Sequence, residues 1–147
     1  MVVKDVESLG KTLRSAHLNL LLLSLPPEDT HTNMSSSKSV KIAIVGTGLI
    51  GPRHAEAIIN EPSAVLACIV DPNPAAEAVA EKLNCALYKS VQAMLASSDK
   101  PDAALVCTPN HTHVSISKEL LEGGVHVLCE KPISVDVASG QELVHIP

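Results

Sequence analysis

Three glycines, Gly46, Gly48 and Gly51, stand at the spacing G-x-G-x-x-G within VKIAIVGTGLIG, Val40–Gly51. That spacing, between a strand and a helix, can hold a diphosphate on backbone N–H groups. Gly46 permits the tight turn out of the strand. Gly48 lets the chain approach a pyrophosphate without a Cβ in the way. Gly51 lets the helix pack closely on the sheet. Asp71 follows twenty residues after Gly51, at the end of a second apolar run. A carboxylate there can accept hydrogen bonds from the ribose hydroxyls of an adenosine and repel a 2′-phosphate, which favours NAD over NADP. Asp71-Pro72 is also a common turn opener, and both roles are compatible.

These residues need elements to place them. Val40–Val45 is apolar and β-branched, the pattern of a buried strand. A helical segment, Pro52–Asn60, follows the glycines. Val65–Val70 reads as a second strand and Pro74–Leu83 as an Ala-rich helix, with Pro74 suited to its first turn. Ala86–Tyr88 is a third strand and Val91–Ala96 a short helix. Asp102–Cys107 is a fourth strand, and Val114–Leu121 a helix that Gly123-Gly124 stops by accepting positive φ. Val125–Cys129 is a fifth strand, and Ser134–Val144 a last helix with Ser134 as its N-cap. Strand and helix alternate throughout. The predicted fold class is therefore α/β, a doubly wound parallel sheet with right-handed crossovers. The ligand then lies across the carboxyl ends of the strands.

Two further constellations open at those ends. Thr108-Pro109-Asn110-His111-Thr112-His113 follows the fourth strand, and Glu130-Lys131-Pro132 follows the fifth. His111 and His113 suggest a metal pair, but no carboxylate or cysteine beside them completes a set, so no metal is expected, and His113 reads instead as capping or orienting the helix start. His54, early in the first helix, reads as a surface or packing residue. Taken by itself, Lys131 is an ordinary solvated loop lysine.

Together, GTGLIG after a strand, the acid closing the second strand, TPNHTH and CEKP resemble the Gfo/Idh/MocA family of oxidoreductases. That family includes glucose–fructose oxidoreductase and inositol dehydrogenase. The resemblance runs from Val40 to about Val144 and implies a Rossmann NAD(P)-binding fold. It implies that Gly46, Thr47, Gly48, Leu49, Ile50 and Gly51 line the pyrophosphate and that Asp71 holds the adenosine ribose. Thr108, Pro109, Asn110 and His113 would contact the nicotinamide half, and Glu130 the nicotinamide ribose. Lys131 would lie beside the reacting hydroxyl of a small sugar or polyol, the one catalytic candidate, with Pro132 after a cis peptide. An ammonium there can stabilise developing alkoxide charge. Full members continue into a second domain that shapes the substrate pocket and supplies acid and base, typically an Asp and a His. That domain is not represented here, and His145 has no motif around it that would make it the missing histidine. The resemblance thus implies the cofactor half of a dehydrogenase, a chain without turnover by itself. A non-catalytic nucleotide binder and a truncated fragment are the alternatives.

Composition agrees with one globular domain: 147 residues, 46% hydrophobic, net charge −5. With one Tyr, no Phe and no Trp, the core must be aliphatic, as suits a parallel sheet buried on both faces. Clustered Lys and Arg, which a nucleic-acid surface requires, are missing. Cys68, Cys85, Cys107 and Cys129 form no C-x-x-C pair and read as reduced, buried thiols, which fits the cytoplasm. Residues 1–37 read as a weakly structured extension preceding the dinucleotide-binding domain at 38–147. The apolar run Leu18–Leu25 falls short of the roughly 20 residues a membrane span needs. Acidic residues spoil it as a signal or transit peptide. Met34, followed by a polar Ser-rich stretch, is a natural start for the domain, which would make residues 1–33 dispensable.

Overall fold

A computed structural model describes residues 39–144 and Ile146 of the chain. The expectations for residues 1–37 and for His145 lie outside the described residues. Five parallel strands form one sheet in the order β3-β2-β1-β4-β5. They are β1 (Val40–Val45), β2 (Ala64–Val70), β3 (Ala86–Tyr88), β4 (Ala103–Val106) and β5 (His126–Cys129). Between and after them lie α1 (Gly51–Ile59), α2 (Ala76–Leu83), α3 (Val91–Leu95), α4 (His113–Glu122) and α5 (Val137–Val144). A 3-10 turn, Asn110–Thr112, leads into α4.

The two-residue alternation of the strands sorts the core into two layers. Ile42, Ile44, Ile69, Ala103 and Leu105 face one side and meet Ala55 and Ile58 of α1 and Ala80 of α2. Ala43, Val45, Val70, Ala104 and Val127 face the other and meet Met94 of α3, Leu120 of α4 and Leu143 of α5. β4, flanked by β1 and β5, is buried along its whole length. Aliphatic residues do most of this packing, joined by Met94 and buried cysteines, as suits a sheet covered on both faces. Between β1 and β2 the pairing skips Ala67: Ile42 faces Leu66 and Ala43 faces Cys68.

The helix starts depart from the sequence expectation at two places. Pro74 precedes α2 rather than opening it. The Asn73 side-chain oxygen accepts from the Ala75 N–H at 2.9 Å, and that local turn delays the helix to Ala76. Ser134 does not cap α5. Its hydroxyl donates to the Asp136 carbonyl at 2.5 Å, while the Asp136 carboxylate accepts from the Ser139 N–H at 2.9 Å. Asp136 therefore caps the helix. Gly124 takes the positive φ after α4, at +74°, and Gly123 keeps a helical −73°.

The glycine loop is the tightest point of the fold. Gly46 has φ +95°, a region costly for side chains. A Cβ on Gly51 would lie 2.1 Å from the Gly46 carbonyl oxygen. A Cβ on Gly48 would meet nothing within 4 Å. Gly51→Ala is therefore expected to cost at least about 2 kcal/mol of stability by forcing α1 off β1. Urea unfolding of the two chains measures the difference, and an unchanged midpoint would contradict the close approach.

Candidate dinucleotide site

Parallel strands bring all their carboxyl ends to one edge, and the order β3-β2-β1-β4-β5 places the switch of direction between β1 and β4. Gly46 leaves β1 there, Asp71 leaves β2, Thr108 comes just beyond β4 and Glu130 leaves β5. A cavity of about 870 Å³ opens at this edge, bordered by Gly46–Ile50, Asp71, Thr108 and Pro109. That size suits a ligand larger than a metabolite fragment. Gly51 is buried behind the loop. Asn110, His113, Glu130 and Lys131 lie outside the cavity border.

The acid and the glycine loop are joined directly. Asp71 Oδ2 accepts from the Thr47 N–H at 2.7 Å and from the Thr47 hydroxyl at 2.6 Å, and Oδ1 accepts from the Asn73 N–H at 2.8 Å. Burial by itself would raise the Asp71 carboxyl. The Thr47 and Asn73 bonds and the Lys89 charge outweigh it and hold the group below its ordinary value. No side chain caps α1, and no acidic residue sits in its first turn, so its positive end is left for an anion. Leu49, at the tip of the loop, is exposed.

On the side where the resemblance puts the nicotinamide, several polar side chains are bonded to one another or to backbone carbonyls. His113 is buried, with Nδ1 2.7 Å from the Pro132 carbonyl and Nε2 2.8 Å from the Thr108 carbonyl. Both partners only accept, so a neutral ring can donate to one of them, and only a doubly protonated ring to both. With both nitrogens within reach of these carbonyls, His113 ties the Thr108 loop to the Pro132 turn. Thr112 Oγ1 donates to the Pro109 carbonyl at 2.7 Å and lies 2.8 Å from Thr108 Oγ1, which stiffens the same loop. Glu130 Oε1 is 2.6 Å from His54 Nε2, and Oε2 accepts from the Lys131 N–H at 3.0 Å. The His54 bond is the leading reason the Glu130 carboxyl sits below its ordinary range. His54 thus has a defined partner 76 residues away, beyond the surface or packing role read from the sequence. Lys131 is exposed, and its peptide bond to Pro132 is cis.

Lys89 and Gln92 also border the cavity and were not singled out in the sequence. Their position just after β3, whose carboxyl end opens at the same edge, is the signal that marks them. Lys89 pairs with Glu77 at 2.9 Å. All four cysteines are free. Burial pushes the Cys68 and Cys107 thiols up to about 12, so neither serves as a nucleophile.

A parallel sheet with a glycine loop at its switch point and an acid closing the next strand defines a dinucleotide-binding domain. Residues 40–146 match the profile of the Gfo/Idh/MocA group, described as an oxidoreductase family with an NAD-binding Rossmann fold, and the chain belongs to that family. It is 35% identical over 99 residues to the inositol 2-dehydrogenase of Rhizobium meliloti (strain 1021), covering 67% of this chain and 29% of that protein. It is 33% identical over 111 residues to the D-glucoside 3-dehydrogenase of Escherichia coli (strain K12), covering 74% and 31%. The crystal structure of scyllo-inositol dehydrogenase from Lactobacillus casei with NAD(H) and scyllo-inositol matches with a TM-score of 0.66 at 28% identity, over 73% of this chain and 33% of that one. The chain spans about a third of the length of these relatives. Among the described residues no helix is long and apolar enough to cross a membrane.

The Asp71 bonds carry a pH dependence. A carboxyl held below its ordinary 3.8 in the folded chain adds stability above that value and loses it as pH falls through the depressed one. Wild type should therefore unfold at higher urea than Asp71→Asn at pH 7, with the gap narrowing as pH falls below the ordinary 3.8. A gap that does not narrow on acidification would contradict the Thr47 bonds.

Proposed function

We propose that this domain is the cofactor half of an NAD-dependent oxidoreductase acting on a CH–OH group of a sugar, polyol or similar small molecule. By itself the chain binds the dinucleotide without turnover. One observation carries the reading: the Asp71 carboxylate closes β2 within hydrogen-bond reach of Thr47 in the glycine loop, on the border of one cavity. The open space in front of Gly48 supports a diphosphate there, since a side chain would take that volume. In this reading Gly46, Thr47, Gly48, Leu49, Ile50 and Gly51 form the cradle, and Asp71 takes the adenosine ribose. Thr108, Pro109 and Asn110 border the nicotinamide half, with His113 holding that border in place. Glu130 faces the nicotinamide ribose, and Lys131 stands beside the substrate hydroxyl. NAD⁺ supplies the hydride acceptor when bound. The protein's part is to orient it and to place a cation near the alkoxide that develops. The names of the relatives support a sugar or polyol substrate. The four free thiols support the cytoplasm.

One geometric requirement supports the reading of a chain without turnover by itself. Hydride transfer needs the substrate held about 3–3.5 Å from the acceptor, and the described residues form one side of such a cleft.

Fluorescence titration with NADH and competition with NAD⁺ and NADP⁺ test the reading. Asp71→Ala should weaken NAD⁺ about tenfold or more and narrow its advantage over NADP⁺, as loss of a charged hydrogen-bond acceptor implies. An unchanged preference removes Asp71 from the ribose. Gly48→Val should leave the melting temperature nearly unchanged, since nothing lies in the way, yet abolish binding. Binding that survives places the phosphates elsewhere.

A further inference from the structure

Glu130-Lys131-Pro132 leaves β5 as a short exposed turn, the kind of segment that ordinarily moves. Here it is held on both sides of Lys131. On one side, the Glu130 carboxylate reaches His54 Nε2 at 2.6 Å and accepts from the Lys131 N–H at 3.0 Å. On the other, the Pro132 carbonyl lies 2.7 Å from His113 Nδ1, whose second nitrogen lies 2.8 Å from the Thr108 carbonyl. His54 stands in the first turn of α1, directly behind the glycine loop, and His113 opens α4. Neither histidine borders the cavity. Each acts through another residue.

We infer that His54 and His113 are positioning residues that fix the Glu130-Lys131-Pro132 turn to the glycine-loop helix and to the Thr108 loop. The phosphate end and the lysine end of the site then move as one body. This rests on the reading of Lys131 as the residue beside the nicotinamide. The physical need is plain. A lysine carries four rotatable bonds, so its ammonium can be placed only if its backbone is placed first, and a shift of about 1 Å costs heavily in hydride transfer. The His54–Glu130 contact is charge-assisted and only partly exposed, with side chains 32% and 24% accessible. It therefore outweighs an ordinary surface pair.

The test uses the full chain labelled for NMR. Without cofactor, hydrogen exchange at the Lys131 backbone amide reports the turn. His54→Ala should speed it about tenfold. His54→Gln, which can still donate to Glu130, should restore most of the protection. With saturating NAD⁺, the Gly48 amide and the Lys131 side-chain signals should both shift in the wild type. In His54→Ala the Gly48 shift should persist while the Lys131 shift falls below about half. Should His54→Ala fail to fold, Glu130→Gln, which weakens the same contact, gives the same comparison. Exchange and Lys131 shifts equal to wild type would overturn the inference, as would a Gln variant no better than Ala. If exchange responds but NAD⁺ leaves the wild-type Lys131 signal unmoved, the placement of Lys131 beside the nicotinamide is overturned and the clamp stands.

Discussion

Everything at the binding edge depends on one close approach, that of Gly51 to the Gly46 carbonyl. With a Cβ excluded by a distance of 2.1 Å, the chain folds back immediately after β1 and sets α1 directly on the sheet. The helix axis then points its unpaired end at the volume in front of Gly48. Any residue larger than glycine at Gly51 would lift the helix and carry the loop with it. Nothing polar compensates for that contact, because α1 has no capping side chain and no acidic first turn. Leaving these groups uncapped costs stability, and a bound anion recovers it.

The second constraint is electrostatic. Asp71 stands beside the loop proposed to receive negative phosphates, where a free carboxylate would repel them. Thr47 resolves the conflict by donating both its N–H and its hydroxyl to Asp71 Oδ2. The bonds neutralise part of the charge on the phosphate side and fix the carboxylate at the edge of the cavity. Lys89, paired with Glu77, adds a positive charge on the β3 side. Reduced repulsion and a fixed acceptor come from the same two hydrogen bonds.

The parts of this site legible in the sequence are local. The glycine spacing, the β-branched runs and an acid twenty residues after Gly51 are each consequences of how one strand, one turn and one helix must be built. All five strands were visible this way, within a residue or so at each end. Helix starts were less visible, because Asn73 and Asp136 build turns that compete with the helix, and short-range propensity does not rank such competitors. The links around Lys131 were invisible for a different reason. His54 meets Glu130 across 76 residues and His113 meets Pro132 across 19, and a single sequence contains no signal for pairs created by the packing of three elements. His113 shows the difference. The residue read by itself as one that orients the helix start, and its burial at the start of α4 agrees, but its two carbonyl partners, one of them beyond β5, could not be read from the sequence.

The exposure of Lys131 bears on what the domain can do. An ammonium stabilises an alkoxide in proportion to how far water is kept from both, since the same pair at 4 Å gains about 1 kcal/mol in bulk water and about 4 at an effective dielectric constant of 20. The turn that carries Lys131 is anchored on its inner side by two histidines and open to solvent on its outer side. Anchoring supplies position, and position without exclusion of water supplies little rate. In the proposed reading the same turn works only where water is kept from it, and its ties to His54 of α1 and, through His113, to the Thr108 loop would hold Lys131 in register with the dinucleotide.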